Sequence, residues 1–288
     1  LLSVDPENYE DAPTEGVRRV LEAYTEKEIN KQSKLDGSLI EWIRMGTTVA
    51  INALLEKKGD SFLYVTTESF TDVLEIGTQA RPELFNLNVK KPLPLYKDVI
   101  EIEERVTIET AIDDPNQDPV HIDGKKIILT SSGHVIRILK PVNEPKTHED
   151  LLHYYNKGYR NIAVCLAHSF AYNKHELLIR DIATKIGFEY ISLSHELSPS
   201  IGLLNRGNSV CINAYLTPRV QSYVKKFLSS FENCPRVEFM KSDGGLVQAE
   251  GLNGLNSILS GPAGGVVGFA RTSYNGDSPI IGFDMGGT

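Results

Sequence analysis

Ile280-Ile281-Gly282-Phe283-Asp284-Met285-Gly286-Gly287-Thr288 closes the sequence and reads as a strand running into a glycine turn. Ile280, Ile281 and Phe283 have the side chains of a buried strand, and Asp284 places a carboxylate at its carboxyl end. Gly286 and Gly287 lack Cβ, so their N–H groups can approach a phosphate closely, and Thr288 adds a hydroxyl donor. A carboxylate beside a phosphate is repulsive unless Mg²⁺ or a positioned water lies between them. An ordinary tight turn of Asp and Gly accounts for the same residues.

The residues just upstream favour the phosphate reading. A small-residue helix, GPAGGVVGFA (261–270), precedes a polar loop and this strand. The arrangement resembles the actin, Hsp70 and sugar-kinase ATPase superfamily, where such a helix joins two lobes before a second phosphate loop and lets them hinge. Before it, VEFMKSDGGLVQ (237–248) reads as a strand ending in Ser242-Asp243-Gly244-Gly245. Ligands gather at strand carboxyl ends, so this turn is a candidate wall of the same cleft. A plain SDGG turn is the equal alternative.

Further towards the N-terminus the pattern is strand, turn, helix: EWIRM (41–45), Gly46-Thr47-Thr48, then VAINALLEKKG (49–59). Thr47 and Thr48 start that helix, either as a bare N-cap or as an anion-binding helix start. The strand SFLYVTT (61–67) and the short helix ESFTDVLEIG (68–77) follow. This alternation predicts βα units and a largely parallel sheet. Residues 81–100 are proline-punctuated surface chain, and 101–142 predict an antiparallel excursion around the loop DDPNQDPVHIDG (113–124). NIAVCLAH (161–168), KHELLIRDIATKIGF (174–188) and EYISLSH (189–195) restore the βα rhythm. NSVCINAYLTPRVQSYVKKFLSSF (208–231) is a long helix that Pro218 should bend or interrupt. At the start, Asp11 and Pro13 open a helix with Val17, Val20, Leu21 and Tyr24 on one face.

Composition excludes several classes. The 288 residues are 41% hydrophobic and 24% charged, as in an ordinary globular protein. A net charge of −8 argues against a nucleic-acid partner. No apolar run approaches a membrane span, and the acidic first residues are unlike a leader, so the expected home is the cytosol. Cys165, Cys211 and Cys234 lie far apart, which fits a reducing compartment, and Cys165 in IAVCLA reads as a buried inert thiol. His168 and His195 stand at strand ends, where histidines are mostly structural. No His/Asp/Glu spacing forms a metal cage.

Longer runs narrow the superfamily resemblance. GTTVAINALLEKKG (46–59), SFTDVLEIGTQARPELFNL (69–87), PLYKDVIEIEERV (94–106), ISLSHELSP (191–199), NAYLTP (213–218), MKSDGGLV (240–247), ILSGPAGGVVGFA (258–270) and IIGFDMGGT (280–288) resemble the hydantoinase/oxoprolinase family. DAPTEG (11–16) and TQARPELF (78–85) favour its eukaryotic oxoprolinase branch; Ile51 departs from the Thr common in relatives.

The resemblance implies an α/β fold of the actin/Hsp70/sugar-kinase ATPase type, incomplete, with an inserted α/β region. It assigns residues 1–205 to an N-terminal domain lacking its first strands. Residues 206–288 become the start of a hydantoinase A ATPase-type domain, truncated after the second phosphate loop. It further implies ATP and Mg²⁺ as cofactors and 5-oxo-L-proline as a small-molecule lactam substrate. The parent would be a homodimer that opens the lactam to glutamate with ATP hydrolysis. Asp284 would be catalytic and bind metal. Asp284, Gly286, Gly287, Thr288, Ser242, Asp243, Gly244 and Gly245 would hold the nucleotide. The fragment is expected to be inactive alone; a hydantoin-opening enzyme or a non-catalytic remnant are the alternatives.

Overall fold

A computed structural model describes residues 1, 5–78, 80, 85–88, 91–109 and 122–285. The elements run α1 (Ala12–Thr25), β1 (Leu35–Asp36), β2 (Trp42–Met45), α2 (Val49–Leu55), β3 (Leu63–Thr67), α3 (Val73–Ile76), β4 (Asp98–Ile102), β5 (Arg105–Ile108), β6 (Ile127–Leu129), β7 (Val135–Lys140), α4 (Glu144–Asn156), β8 (Asn161–Cys165), α5 (Lys174–Ile186), β9 (Tyr190–Leu193), α6 (Ser194–Leu197), α7 (Leu203–Ser229), β10 (Phe231–Glu232), β11 (Arg236–Met240), β12 (Leu246–Gln248), α8 (Gly254–Ser257) and α9 (Ser260–Thr272). They form two compact units, residues 1–58 with 217–288 and residues 59–216. Among the described residues no helix is long and apolar enough to cross a membrane.

The 59–216 unit is built on a four-stranded parallel sheet in the order β4-β3-β8-β9. Every residue of β3 and of β8 is buried, as expected for strands covered on both faces. Leu63, Val65, Ile162 and Val164 form its core with Leu151 of α4 and Ile179 of α5; burying each such side chain fully contributes ~1.5–3 kcal/mol. A separate antiparallel sheet, β5-β7-β6, has its own small core around Val106 and Ile136.

The antiparallel excursion is thus shorter than the alternation from residue 101 suggested. β4 pairs parallel with β3, and the Glu104 N–H to Ile102 C=O bond (2.8 Å) breaks the run before β5 begins. Most of the loop 113–124, Gln79 and Arg81 to Leu84 of TQARPELF, and Gly286, Gly287 and Thr288 lie outside the described residues.

Pro218 does not end its helix: α7 continues through it. Proline removes the bond to the carbonyl four residues back. That carbonyl, on Ala214, instead accepts from Asn161 Nδ2, and the neighbouring Tyr215 carbonyl accepts from the Asp60 N–H at 2.9 Å.

Past the carboxyl ends of β3, β8 and β9 lies a buried polar network. Arg206, fully buried, donates through Nη1 to Ser169 and to Ser194 Oγ (2.7 Å) and through Nη2 to Leu166 C=O (3.0 Å). Glu176 accepts from the Leu166 N–H, Ser194 Oγ, the His195 N–H and His195 Nδ1, at 2.6–3.1 Å. These donors outweigh burial and hold its carboxyl below the ordinary range. His195 is thereby accounted for structurally, and His168 is half-buried in a left-handed conformation (φ 57°). Cys165 is buried, and desolvation pushes its thiol up to about 12, consistent with an unreactive thiol.

In the unit formed by 1–58 and 217–288, β2 pairs parallel with β11, and β12 returns antiparallel. Helix α1 is capped by Asp11, whose carboxylate accepts from the Thr14 N–H at 3.0 Å, with proline in its first turn. Of its expected apolar face only Leu21 is buried; Val20 and Tyr24 are exposed.

The terminal run departs most from expectation. Residues 280–285 form no strand among the described residues, and Ile281, Phe283 and Met285 are 83–96% exposed. The opposite side of the run faces α9. Gly282 packs so closely on Phe269 that a Cβ would stand 2.0 Å from its ring, and Asp284 lies beside Gly265. A strand needs a neighbouring edge as well as a suitable sequence, and no described strand pairs with this run.

Candidate active site

Parallel pairing of Trp42–Met45 with Arg236–Phe239 carries the carboxyl ends of β2 and β11 to the same side. From β2 the chain continues into Gly46-Thr47-Thr48 and α2; from β11 it enters Lys241 to Gly245. Helix α9 joins them. Ser260 Oγ donates to the Thr47 carbonyl at 2.6 Å, fully buried. Ser242 Oγ accepts from the Leu259 N–H (3.1 Å) and donates to the Asn256 carbonyl (2.9 Å). Gly261 sits where a Cβ would press on Thr48 Cγ2 at 3.0 Å.

These three segments enclose a cleft of about 1290 Å³, above the ~300–1,000 Å³ usual for one small ligand. Thr47, Thr48 and Asn52 line one side, Gly244 another, and Gly261, Gly264, Val267 and Arg271 of α9 a third. The α9 residues recur at helical spacing, so one face of the helix forms that wall. Tyr223 also lines the cleft, with Asp11 nearby; burial first, and the Asp11 charge second, push its phenol up to about 12. It therefore stays a neutral hydroxyl, able to donate a hydrogen bond, at neutral pH.

Of the residues singled out in sequence, Thr47, Thr48 and Gly244 reach the cleft wall, Gly244 being the one in the SDGG turn. Its φ of +80° is the left-handed region that favours glycine. Asp243 is tied down beside it, accepting from Lys241 Nζ and the Gly245 N–H, each at 2.8 Å. The lysine first, and then the amide, hold its carboxyl below the ordinary range. Ser242 is spent on the α8–α9 junction. Thr48 is the N-cap of α2 without a capping bond, its hydroxyl accepting from Asn52 Nδ2 at 3.3 Å, whereas Thr47 Oγ1 accepts from the Val49 N–H at 3.2 Å. Asp284 is exposed, beside Gly265 of α9, and is not among the residues lining the cleft.

Sequence reasoning missed Tyr223 and Arg271. Tyr223 lies in an unremarkable helical run. The available signal for Arg271 was its register with Gly261 and Gly264.

The described residues contain no group of three or more His, Cys, Asp or Glu able to hold a metal. Mg²⁺ needs only one or two carboxylates when phosphates and waters complete its shell. The single exposed carboxylate of Asp284 fits that requirement only in partnership with a phosphate.

A cleft at parallel strand ends, walled by glycine turns and a small-residue helix, defines an α/β protein with a ligand-sized site in this unit. Sequence comparison makes this specific: the hydantoinase/oxoprolinase N-terminal region matches residues 1–187, and the hydantoinase/oxoprolinase domain matches 206–288. The chain belongs to the hydantoinase/oxoprolinase family. It is 46% identical to a 5-oxoprolinase of Dictyostelium discoideum and 45% identical to one of Saccharomyces cerevisiae, in each case over its whole length. It spans only 24% and 23% of the lengths of those proteins. The ATP-dependent caprolactamase from Pseudomonas jessenii shares the fold, with a TM-score of 0.66 at 21% identity over 93% of this chain and 36% of that one.

Proposed function

We propose that this chain is the part of an ATP-dependent 5-oxoprolinase that grips phosphate and lactam. The reaction is conversion of 5-oxo-L-proline, ATP and water to L-glutamate, ADP and phosphate. The observation that carries this reading is the convergence of Gly46–Thr48, Lys241–Gly245 and the glycine face of α9 on one cleft. Whole-length identity to 5-oxoprolinases supports it.

An unstrained lactam carbonyl is a poor electrophile. Phosphorylation of its oxygen by bound ATP would activate the carbonyl carbon towards water, so that the ring C–N bond can break and phosphate depart. This chain's residues contribute position and charge. The Gly286 and Gly287 amides and the Thr288 hydroxyl hold phosphate oxygens, while the Gly244 turn, whose amides are committed to the Lys241 carbonyl and Asp243, contributes close backbone approach. Asp284 takes Mg²⁺, and Tyr223 donates a proton-bearing hydroxyl into the cleft. For Asp284 to serve, residues 280–288 must settle as a strand and turn beside the cleft. Their exposed Ile281, Phe283 and Met285 then gain a neighbour.

The family division after residue 205, a cytosolic location and a homodimeric parent belong to the same reading. A second reading keeps the fold and opens a hydantoin instead. The discriminating experiment measures ATP hydrolysis by the chain extended to the length of its relatives, with 5-oxoproline or hydantoin added. Stimulation by 5-oxoproline supports the proposal; stimulation by hydantoin alone transfers the assignment, and no ATP hydrolysis with either leaves a non-catalytic remnant.

A further inference from the structure

The cleft is lined by two cations, and only one has a protein partner among the described residues. Arg44 donates from Nε to Glu238 Oε2 at 2.9 Å and stacks over Trp42, 4.0 Å from the ring centroid. Arg271 has no ion pair or hydrogen bond among the described residues. The one carboxylate on the cleft wall, Asp11, is engaged by the Thr14 N–H and hydroxyl. An anion entering the cleft therefore finds Arg271 as its uncommitted positive charge.

Position separates two anionic partners. Gly261 lies near the start of α9 beside Thr48, where backbone can approach phosphate, and Gly244 packs against Val267 further along the helix. Arg271 is ten residues beyond Gly261, ~15 Å along the helix axis. The cleft volume exceeds what one small ligand needs. A guanidinium fork matches a carboxylate in two parallel hydrogen bonds.

We propose that Arg271 anchors the carboxylate of an acidic cyclic amide and so makes the cleft select such substrates over uncharged lactams. This rests on the lactam-opening reading and deepens it. Arg271 sets specificity and takes no part in bond making.

The test is ligand-observed NMR binding to the chain, with 5-oxoproline, uncharged 2-pyrrolidinone and Mg·ADP as probes, for wild type, Arg271→Gln and Arg271→Lys. The expected result is about tenfold or greater weakening of 5-oxoproline in R271Q, the scale of one charge-assisted pair. R271K should recover part of it, with 2-pyrrolidinone and Mg·ADP unchanged. Unchanged 5-oxoproline binding in R271Q, weakening confined to Mg·ADP, or no 5-oxoproline binding to wild type each overturns the proposal. The Mg·ADP arm reports separately on the ATPase reading, which fails if wild type binds no nucleotide.

Discussion

Ser260 Oγ donates to the Thr47 carbonyl across 213 residues of sequence, in a bond of 2.6 Å sealed from solvent. It fastens the start of α9 to the loop after β2, so two walls of the cleft hold a common geometry. Removing one partner of such a bond leaves a buried carbonyl unsatisfied, at a cost of about 1–3 kcal/mol. Ser260→Ala should lower stability by that amount in urea unfolding. A loss below a few tenths of a kcal/mol would show that the walls do not depend on this bond.

Gly264 separates stability from binding. A Cβ there meets nothing within 4 Å, yet the residue lines the cleft in mid-helix. Replacing a helical glycine with Leu improves helix propensity by up to about 1 kcal/mol. Gly264→Leu should therefore leave the melting temperature equal or higher while abolishing nucleotide binding. Retained binding would place the ligand elsewhere.

The 59–216 unit should depend on Arg206. Its removal strands Ser169, the Leu166 carbonyl and a fully buried Glu176 whose charge it balances through Ser194. Breaking such a network costs about 3–5 kcal/mol. Arg206→Leu should shift the denaturant midpoint accordingly; a neutral result would mean the guanidinium is dispensable packing.

Acid should loosen α1 through Glu15. Hydrogen bonding from Arg18, with help from Arg19, brings its carboxyl from 4.5 down to about 2 against the opposing effect of burial. A depressed folded value means the contribution is complete above pH 4.5 and lost as pH falls towards 2. Glu15→Gln should reduce stability at neutral pH and flatten the fall across that window. Parallel wild-type and variant curves would contradict the linkage.

The chain alone should not turn over ATP. Two or three charge-assisted hydrogen bonds at ~1.5–3 kcal/mol each face an association cost of about 4–15 kcal/mol, which leaves little net affinity. Calorimetry should find millimolar or weaker ATP binding; a micromolar constant would overturn this.

The βα rhythm was legible because each strand and helix is specified locally. EWIRM before Gly46, SFLYVTT and NIAVCLAH all became strands, and Asp11 with proline in the next turn opened a helix. Properties that need two segments were not legible. The run 280–285 has a strand's residues but no described edge to pair with. Pro218 stays helical because Asn161, 57 residues away, satisfies the carbonyl that proline abandons. In the cleft, glycines announced themselves by their turn pattern. Tyr223 and Arg271 acquired meaning only when folding brought them to one cleft with Thr47 and Gly244.

The most direct test is amide hydrogen exchange of the chain with and without millimolar Mg·ATP. Slowed exchange at Gly46–Val49, Gly244–Gly245 and around Gly264, with 59–216 unchanged, is the predicted footprint. Protection confined to 59–216, or none at those three segments, would contradict the cleft as the nucleotide site.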